Sequence, residues 1–156
     1  MPTEPNPDEI PLPALLRAAR GAYGVAITAR LDDADYADMP RNGPFVLGGL
    51  AREGETLGDL IAGLGVSKQA ASQLIDTLVV RGYLTREVHP EDRRRMVVRL
   101  TDRGRTASET VRGAVAEVDD LLGQRIGPAD VASLRRGLSA LAAIKAETVG
   151  SGRRPR

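Results

Sequence analysis

Ser67-Lys-Gln-Ala-Ala-Ser-Gln-Leu-Ile-Asp-Thr-Leu-Val-Val-Arg-Gly82 is followed without a break by Tyr83-Leu-Thr-Arg-Glu-Val88, His89-Pro-Glu-Asp-Arg-Arg-Arg95 and Met96-Val-Val-Arg-Leu-Thr101. Ser67 has the chemistry of an N-cap. Ala71, Leu74, Ile75 and Leu78 recur at spacings of three and four and make one apolar stripe, with Lys68, Gln69, Ser72, Gln73 and Asp76 on the other face. Two short β-prone runs then frame a charged turn, and Asp102-Arg-Gly-Arg105 opens a new helical pattern. A cap, an amphipathic helix and a basic hairpin are the parts with which a winged helix-turn-helix touches a duplex in two grooves.

Upstream, Thr56-Leu-Gly-Asp59 has cap spacing, and Leu57, Leu60, Ile61 and Leu64 point one way. Gly63 or Gly65 ends that helix, and Gly65-Val66 makes the turn into Ser67. Two short helices joined by a tight glycine-containing turn carry the helix-turn-helix pattern, which plain αα-hairpins share. Earlier still, Leu15, Leu16, Ala19, Tyr23, Ala26, Ile27 and Leu31 predict a helix from Leu12 to about Asp35, weakened by Gly21 and Gly24. Tyr36 to Gly43 reads as a loop, and a short helix from Pro44 to about Arg52 takes Asn42 as its cap. Downstream, Ala107, Val111, Ala114, Val115, Val118 and Leu122 predict a long helix from Asp102 to Leu122. Gly127-Pro128 starts a last one with the stripe Val131, Leu134, Leu138, Leu141 and Ile144.

The expected fold is mainly α with a small β-hairpin. Residues 1–11, with four prolines, form a flexible arm. Residues 12–38 form an N-terminal dimerisation helix, 42–101 a winged helix-turn-helix domain, 102–148 C-terminal dimerisation helices, and 149–156 a disordered basic tail. The end helices are too apolar for a monomer surface. Packing of those helices within one chain is the alternative.

Composition narrows the function. Hydrophobic residues make up 42% of the chain but aromatics only 3%, so the core must be aliphatic. There is no cysteine, so disulfides, cysteine-zinc sites and thiol chemistry are excluded, and with a single histidine, His89, an all-protein zinc site, like any cofactor, is not expected. No run approaches the ~20 apolar residues of a membrane span and no signal peptide is visible, so a cytoplasmic protein is expected. Residues 1–65 hold 5 basic and 10 acidic side chains, whereas 66–156 hold 17 and 11, so positive charge gathers in the half that contains the hairpin. No nucleophile–base pair and no phosphate-cradling loop is present, since Gly58–Gly65 lacks the Lys-Ser/Thr ending of a P-loop, and an enzyme is not expected.

Consecutive arginines at a hairpin tip repel one another unless paired, and a phosphate backbone or narrow minor groove relieves that repulsion. Asp92 stands where it can orient the Arg94 guanidinium. Met96, Val98 and Leu100 point to the core, while Val97, Arg99 and Thr101 face away, with Thr101 as cap of the long helix. A charged edge that prevents strand-to-strand aggregation is the other use of such a hairpin. On the helix, Gln can pair with adenine, Lys with guanine and Ser with either; the same row also suits a plain solvent face.

Asp92-x-Arg94-x-x-x-Val98-x-Leu100-Thr101, preceded by Pro90-Glu91 and followed by Gly104-Arg105, resembles the MarR family of winged-helix regulators, as do Gly65-Val66-Ser67-Lys68 and Leu74-Ile75-Asp76-x-Leu78-x-x-x-Gly82-Tyr83-Leu84. The resemblance spans roughly Leu12 to Glu147 and is specific in 56–105. It implies a homodimer whose winged lobes straddle a pseudo-palindromic operator on double-stranded DNA, with repression as the default. Lys68, Gln69, Ser72 and Gln73 would reach the major groove; Asp92 and Arg94 would serve the wing, with Arg93 and Arg95 on phosphates or solvent. Gln73 stands where members often carry a basic residue. The resemblance also implies a small phenolic or anionic effector in a cleft that Tyr23, Tyr36, Met39, Arg41 and Phe45 could line; the same five residues also suit core and loop positions. A winged-helix protein-interaction module without DNA binding is the rival reading.

Overall fold

The computed structural model describes residues 6–52, 57–88 and 96–151. A short 3-10 turn, Pro7–Glu9, precedes α1 (Leu12–Asp33), α2 (Gly43–Leu50), α3 (Leu57–Leu64), α4 (Lys68–Val80), β1 (Leu84–Val88), β2 (Met96–Leu100), α5 (Asp102–Ile126) and α6 (Pro128–Ser151). The chain forms two compact units, divided between Ala116 and Glu117.

In the first unit, α1 runs unbroken through Gly21 and Gly24, beside which no other atoms crowd. Leu31 is its one buried residue, and Leu15, Leu16, Tyr23, Ala26 and Ile27 are half-buried. Just past its end Asp35 is held left-handed at φ 62°, and the Tyr36 N–H donates to the Leu31 carbonyl at 2.8 Å. Aspartate is among the few side chains that tolerate this conformation. In α2, burial of Val46 and Leu47 carries the helix in spite of its glycines. Asn42 occupies the N-cap position, but its side chain makes no capping bond. Its φ −99° and ψ 3° depart from the extended backbone that lets a cap side chain reach forward, so the first turn instead begins on Pro44, which has no N–H to satisfy.

Gly65 turns the chain after α3 at φ 66°. Ser67 caps α4, its Oγ accepting from the Ala70 N–H at 3.2 Å. The expected cap of α3 at Thr56 lies outside the described residues, as does the Asp59 side chain. The hairpin is antiparallel, with Leu84 opposite Leu100 and Val88 opposite Met96. Ala71, Ile75 and Leu78 of α4 are buried, and Leu74 packs beside them. The core joins Val46, Leu47, Ile75, Leu78, Tyr83, Leu84 and Ala107, with Val98 and Leu100 of β2 against it. It is aliphatic except for Tyr83, the largest fully buried side chain.

Thr101 caps α5 as expected: its Oγ1 accepts from the Gly104 N–H at 3.0 Å. A Cβ on Gly104 would stand 2.0 Å from the Tyr83 carbonyl oxygen, so this position admits no side chain. In the second unit, Gly127 at φ 81° leads into α6 from Pro128. Arg135 and Asp119 form an ion pair at 2.6 Å. Leu134, Leu138, Leu141 and Ile144 are 40–55% exposed along one stripe of α6. The helix reaches Ser151, so residues 149–151, expected in the tail, are helical: no proline stands before Pro155 to stop them.

Gly104→Ala should destabilise the protein by roughly 3 kcal/mol, because the new methyl collides with backbone rather than with a mobile side chain. Gly113→Ala, in the same helix with open space around it, should stabilise by up to ~1 kcal/mol. Denaturant unfolding of the two variants checks the opposite signs.

Candidate nucleic-acid interface

Lys68, Gln69, Ser72 and Gln73 all lie exposed on the first two turns of α4. No acidic residue stands in that first turn, so the positive end of the helix macrodipole is uncompensated by a carboxylate. The row therefore offers amide, hydroxyl and ammonium donors side by side from a rigid helix. Asp76, further along the same polar face, is engaged by the Arg86 guanidinium of β1. Arg86 lies opposite Val98 and thus on the inward face of the hairpin, which brings its charge back onto α4. On the outer face Glu87 and Arg99 pair at 3.1 Å. The hairpin is thus fixed to α4 by an ion pair as well as by the buried Leu84.

The register pairs Val88 with Met96. Asp92, Arg93, Arg94 and Arg95, and His89 with them, come between these two in the sequence and lie outside the described residues.

A polar node absent from the sequence expectations stands at the opposite end of α4. The Tyr83 hydroxyl donates to the Asp38 carboxylate and accepts from the Arg103 guanidinium at 3.0 Å. Arg103 also donates to Asp38 at 2.9 Å. Its guanidinium lies 4.6 Å from the Tyr83 ring centre and 5.4 Å from that of Tyr36. Arg81, the C-cap of α4, donates to the Asp38 backbone carbonyl. Asp38 lies below its ordinary 3.8, first because Tyr83 donates to its charged form and then, against the opposing effect of burial, because Arg103 and Arg81 stand close. Tyr83 is pushed above its ordinary 10.0, chiefly by burial and next by its bond to Asp38. Arg103 is raised, led by its bond to Tyr83.

A cavity of about 1280 Å³ lies among α1, α2 and the first half of α5. Tyr23, Arg41 and Phe45 are among its lining residues, with Arg17, Arg20 and Arg52. Tyr36 and Met39 are not. The left-handed turn at Asp35 directs Tyr36 to the core, where its ring lies 6.0 Å from that of Tyr83, and Met39 packs against the same cluster. Arg17 and Arg20 stand between small residues of α1 and Arg52 lies just past the end of α2, so no local motif marks the three.

A helix-turn-helix whose second helix runs directly into an antiparallel hairpin defines a winged-helix protein. Residues 37–95 match the model of the MarR family. Among solved structures, that of MarR is 23% identical with a TM-score of 0.73, covering 96% of this chain and 99% of that one. Bordetella bronchiseptica BpsR, whose DNA binding is regulated by 6-hydroxynicotinic acid, is 21% identical with a TM-score of 0.65, over 88% of this chain and 97% of that one. CouR, a transcriptional repressor bound to a 23-mer DNA duplex, is 22% identical with a TM-score of 0.64, over 85% and 92%. At these identities the likeness establishes the fold. No curated protein matches the chain.

The pH dependence of the node has two edges. Asp38 is more acidic in the folded state, so its contribution is present above the unfolded carboxyl range and lost as pH falls through the lowered folded value. Tyr83 is less acidic when folded, so its contribution is complete below 10.0 and lost as pH rises through the raised value. The Asp38 side chain is half-exposed, which limits its ion pair to under about 1 kcal/mol. In a phenolate absorbance titration, the component that Tyr83→Phe removes should titrate above the ordinary 10.0.

Proposed function

We propose that this protein is a transcriptional repressor that binds a pseudo-palindromic site on double-stranded DNA as a homodimer. The observation that carries this reading is the exposed row Lys68, Gln69, Ser72 and Gln73 on the first two turns of α4, immediately upstream of a hairpin bearing Asp92-Arg-Arg-Arg95 in its sequence. Such a row is short enough and polar enough to enter a major groove, where glutamine reads adenine and lysine reads guanine. The hairpin then falls over the adjacent minor groove, with Arg94 inserted, Asp92 orienting it, and Arg93 and Arg95 on phosphates. DNA-bound CouR, a repressor of the same fold, supports the reading.

The exposed stripe of α6 supports pairing of two chains. Four large aliphatic side chains in one row are costly in water and are covered by a second copy at little entropic cost when the helices are already formed. Two-fold symmetry then places half-sites about 10 bp apart. The cavity supports a small effector: its arginines suit an anion, and Tyr23 and Phe45 suit an aromatic ring. BpsR, regulated by 6-hydroxynicotinic acid, supports that second part.

In-vitro selection on random duplexes should yield an inverted repeat. Affinity for it should fall ~10³–10⁵-fold between 50 and 200 mM salt if the dimer neutralises ~6–10 phosphates; a shallow salt response with no selected motif would point to a protein-interaction module instead. Gln69→Ala should relax one half-site position by ~1–3 kcal/mol, and Arg94→Ala should weaken binding without dissociating the dimer. Leu138→Glu should give monomers in sedimentation and lose the selected duplex; a dimeric Leu138→Glu protein would remove α6 from the interface.

A further inference from the structure

The far end of α4 carries the closed node of Asp38, Tyr83 and Arg103, and α4 is about 20 Å long, so the node is remote from Lys68 and Gln69. Three parts of the chain meet there: the loop after α1 through Asp38, the junction of α4 with β1 through Arg81 and Tyr83, and the first turn of α5 through Thr101, Arg103 and Gly104. Each pairwise join is made. Arg81 donates to the Asp38 carbonyl, the Tyr83 hydroxyl donates to the Asp38 carboxylate, and Arg103 bonds both. Thr101 donates its hydroxyl to the Gly82 carbonyl at 2.5 Å while capping α5.

We propose that Asp38 is a positioning residue for DNA binding: it sets the direction of α4 and the root of the hairpin through Tyr83, Arg81 and Arg103, without touching DNA. This rests on the DNA-binding reading above. The chemistry supports it because a carboxylate is the group that closes the node. Tyr83 has one proton to give, and Arg103 has only donors, so both need an acceptor at this point. An asparagine here keeps one acceptor oxygen but leaves Tyr83 and Arg103 with neutral hydrogen bonds in place of charge-assisted ones, and removes the counter-charge beside Arg81 and Arg103. The same loop carries Arg41, three residues on, in the wall of the cavity. Asp38 therefore joins the strip of chain that borders the cavity to the end of the helix proposed to read bases.

The sign of the Asp38→Asn effect distinguishes positioning from plain electrostatics. Removing a carboxylate from a DNA-binding protein should strengthen binding if the group acts only through its charge. A positioning role requires the reverse: about 10-fold weaker binding of the selected duplex, with an unchanged salt slope and a dimer intact by sedimentation. Asp38→Glu should recover part of the loss, and amide exchange at residues 81–84 should quicken in Asp38→Asn and be slowed again in Asp38→Glu. Binding by Asp38→Asn equal to or tighter than that of the wild type overturns the proposal, and so does a salt slope reduced by about one, which marks direct phosphate contact by the node. If the wild type selects no duplex, the DNA-binding reading and this proposal fall together; if it does and Asp38→Asn is not weakened, only this proposal falls. Should Asp38→Asn fail to fold, Tyr83→Phe, which removes the Tyr83–Asp38 hydrogen bond outright and leaves the carboxylate, must show the weakening.

Discussion

The Tyr83 carbonyl lies so close to Gly104 that only a hydrogen fits between the two chain segments. That contact fixes where α4 stops relative to where α5 starts, and the other groups of Tyr83 reinforce it. Its N–H donates to the Leu78 carbonyl at 2.9 Å, closing the end of α4. Its carbonyl accepts from the Thr101 N–H at 3.1 Å. Its ring is fully buried and its hydroxyl is held by Asp38 and Arg103. A residue satisfied at every polar atom and packed on every side has one position available to it. β1 begins at the next residue, so the helix and the hairpin inherit a common anchor.

This anchor explains why a thin core suffices. The cluster under α4 is small and nearly all aliphatic, so dispersion alone would let the helix slide along its own stripe at modest cost. Hydrogen bonds have direction, and those at Tyr83 break the degeneracy. The ion pair of Arg86 with Asp76 acts about two-thirds of the way along α4, fixing rotation where the node fixes translation. Both partners are half-exposed, so this pair contributes little free energy; its effect is on geometry.

What could be read from the chain alone divides by range. The stripe Ala71, Leu74, Ile75 and Leu78 and the caps at Ser67 and Thr101 are local chemistry, decided within a turn or two of helix, and the structure places them as read. The outcome at Asn42 was not legible, because burial of Val46 and Leu47 sets the backbone there before any side-chain cap can form. Tyr36 and Met39 went to the core because one left-handed residue, Asp35, redirects the loop, and no periodicity records such a turn. The node joins residues 45 and 65 positions apart in sequence. Single charged or hydroxyl residues at such separations carry no pattern; they become a site only when the fold delivers them.

The placement of charge on α4 and the hairpin has a consequence for how binding would divide between them. Arg86 and Arg99 are already engaged by Asp76 and Glu87, so the described part of the hairpin has its cations neutralised within the protein. The exposed row on α4 brings one ammonium, Lys68, beside neutral amides and a hydroxyl. On the proposed reading, Coulomb attraction to phosphate would then come mainly from the arginine run at 93–95, while α4 would gain little from non-specific contact. Neutral donors and acceptors discriminate instead by penalty. A glutamine pressed against the wrong base edge loses its water without regaining a partner, at ~1–3 kcal/mol for the unsatisfied group. On the proposed reading, affinity resides in the wing and selectivity in the helix. The rigid anchor at Tyr83 is what makes that division workable, because a penalty for mismatch is felt only when the helix cannot shift to escape it.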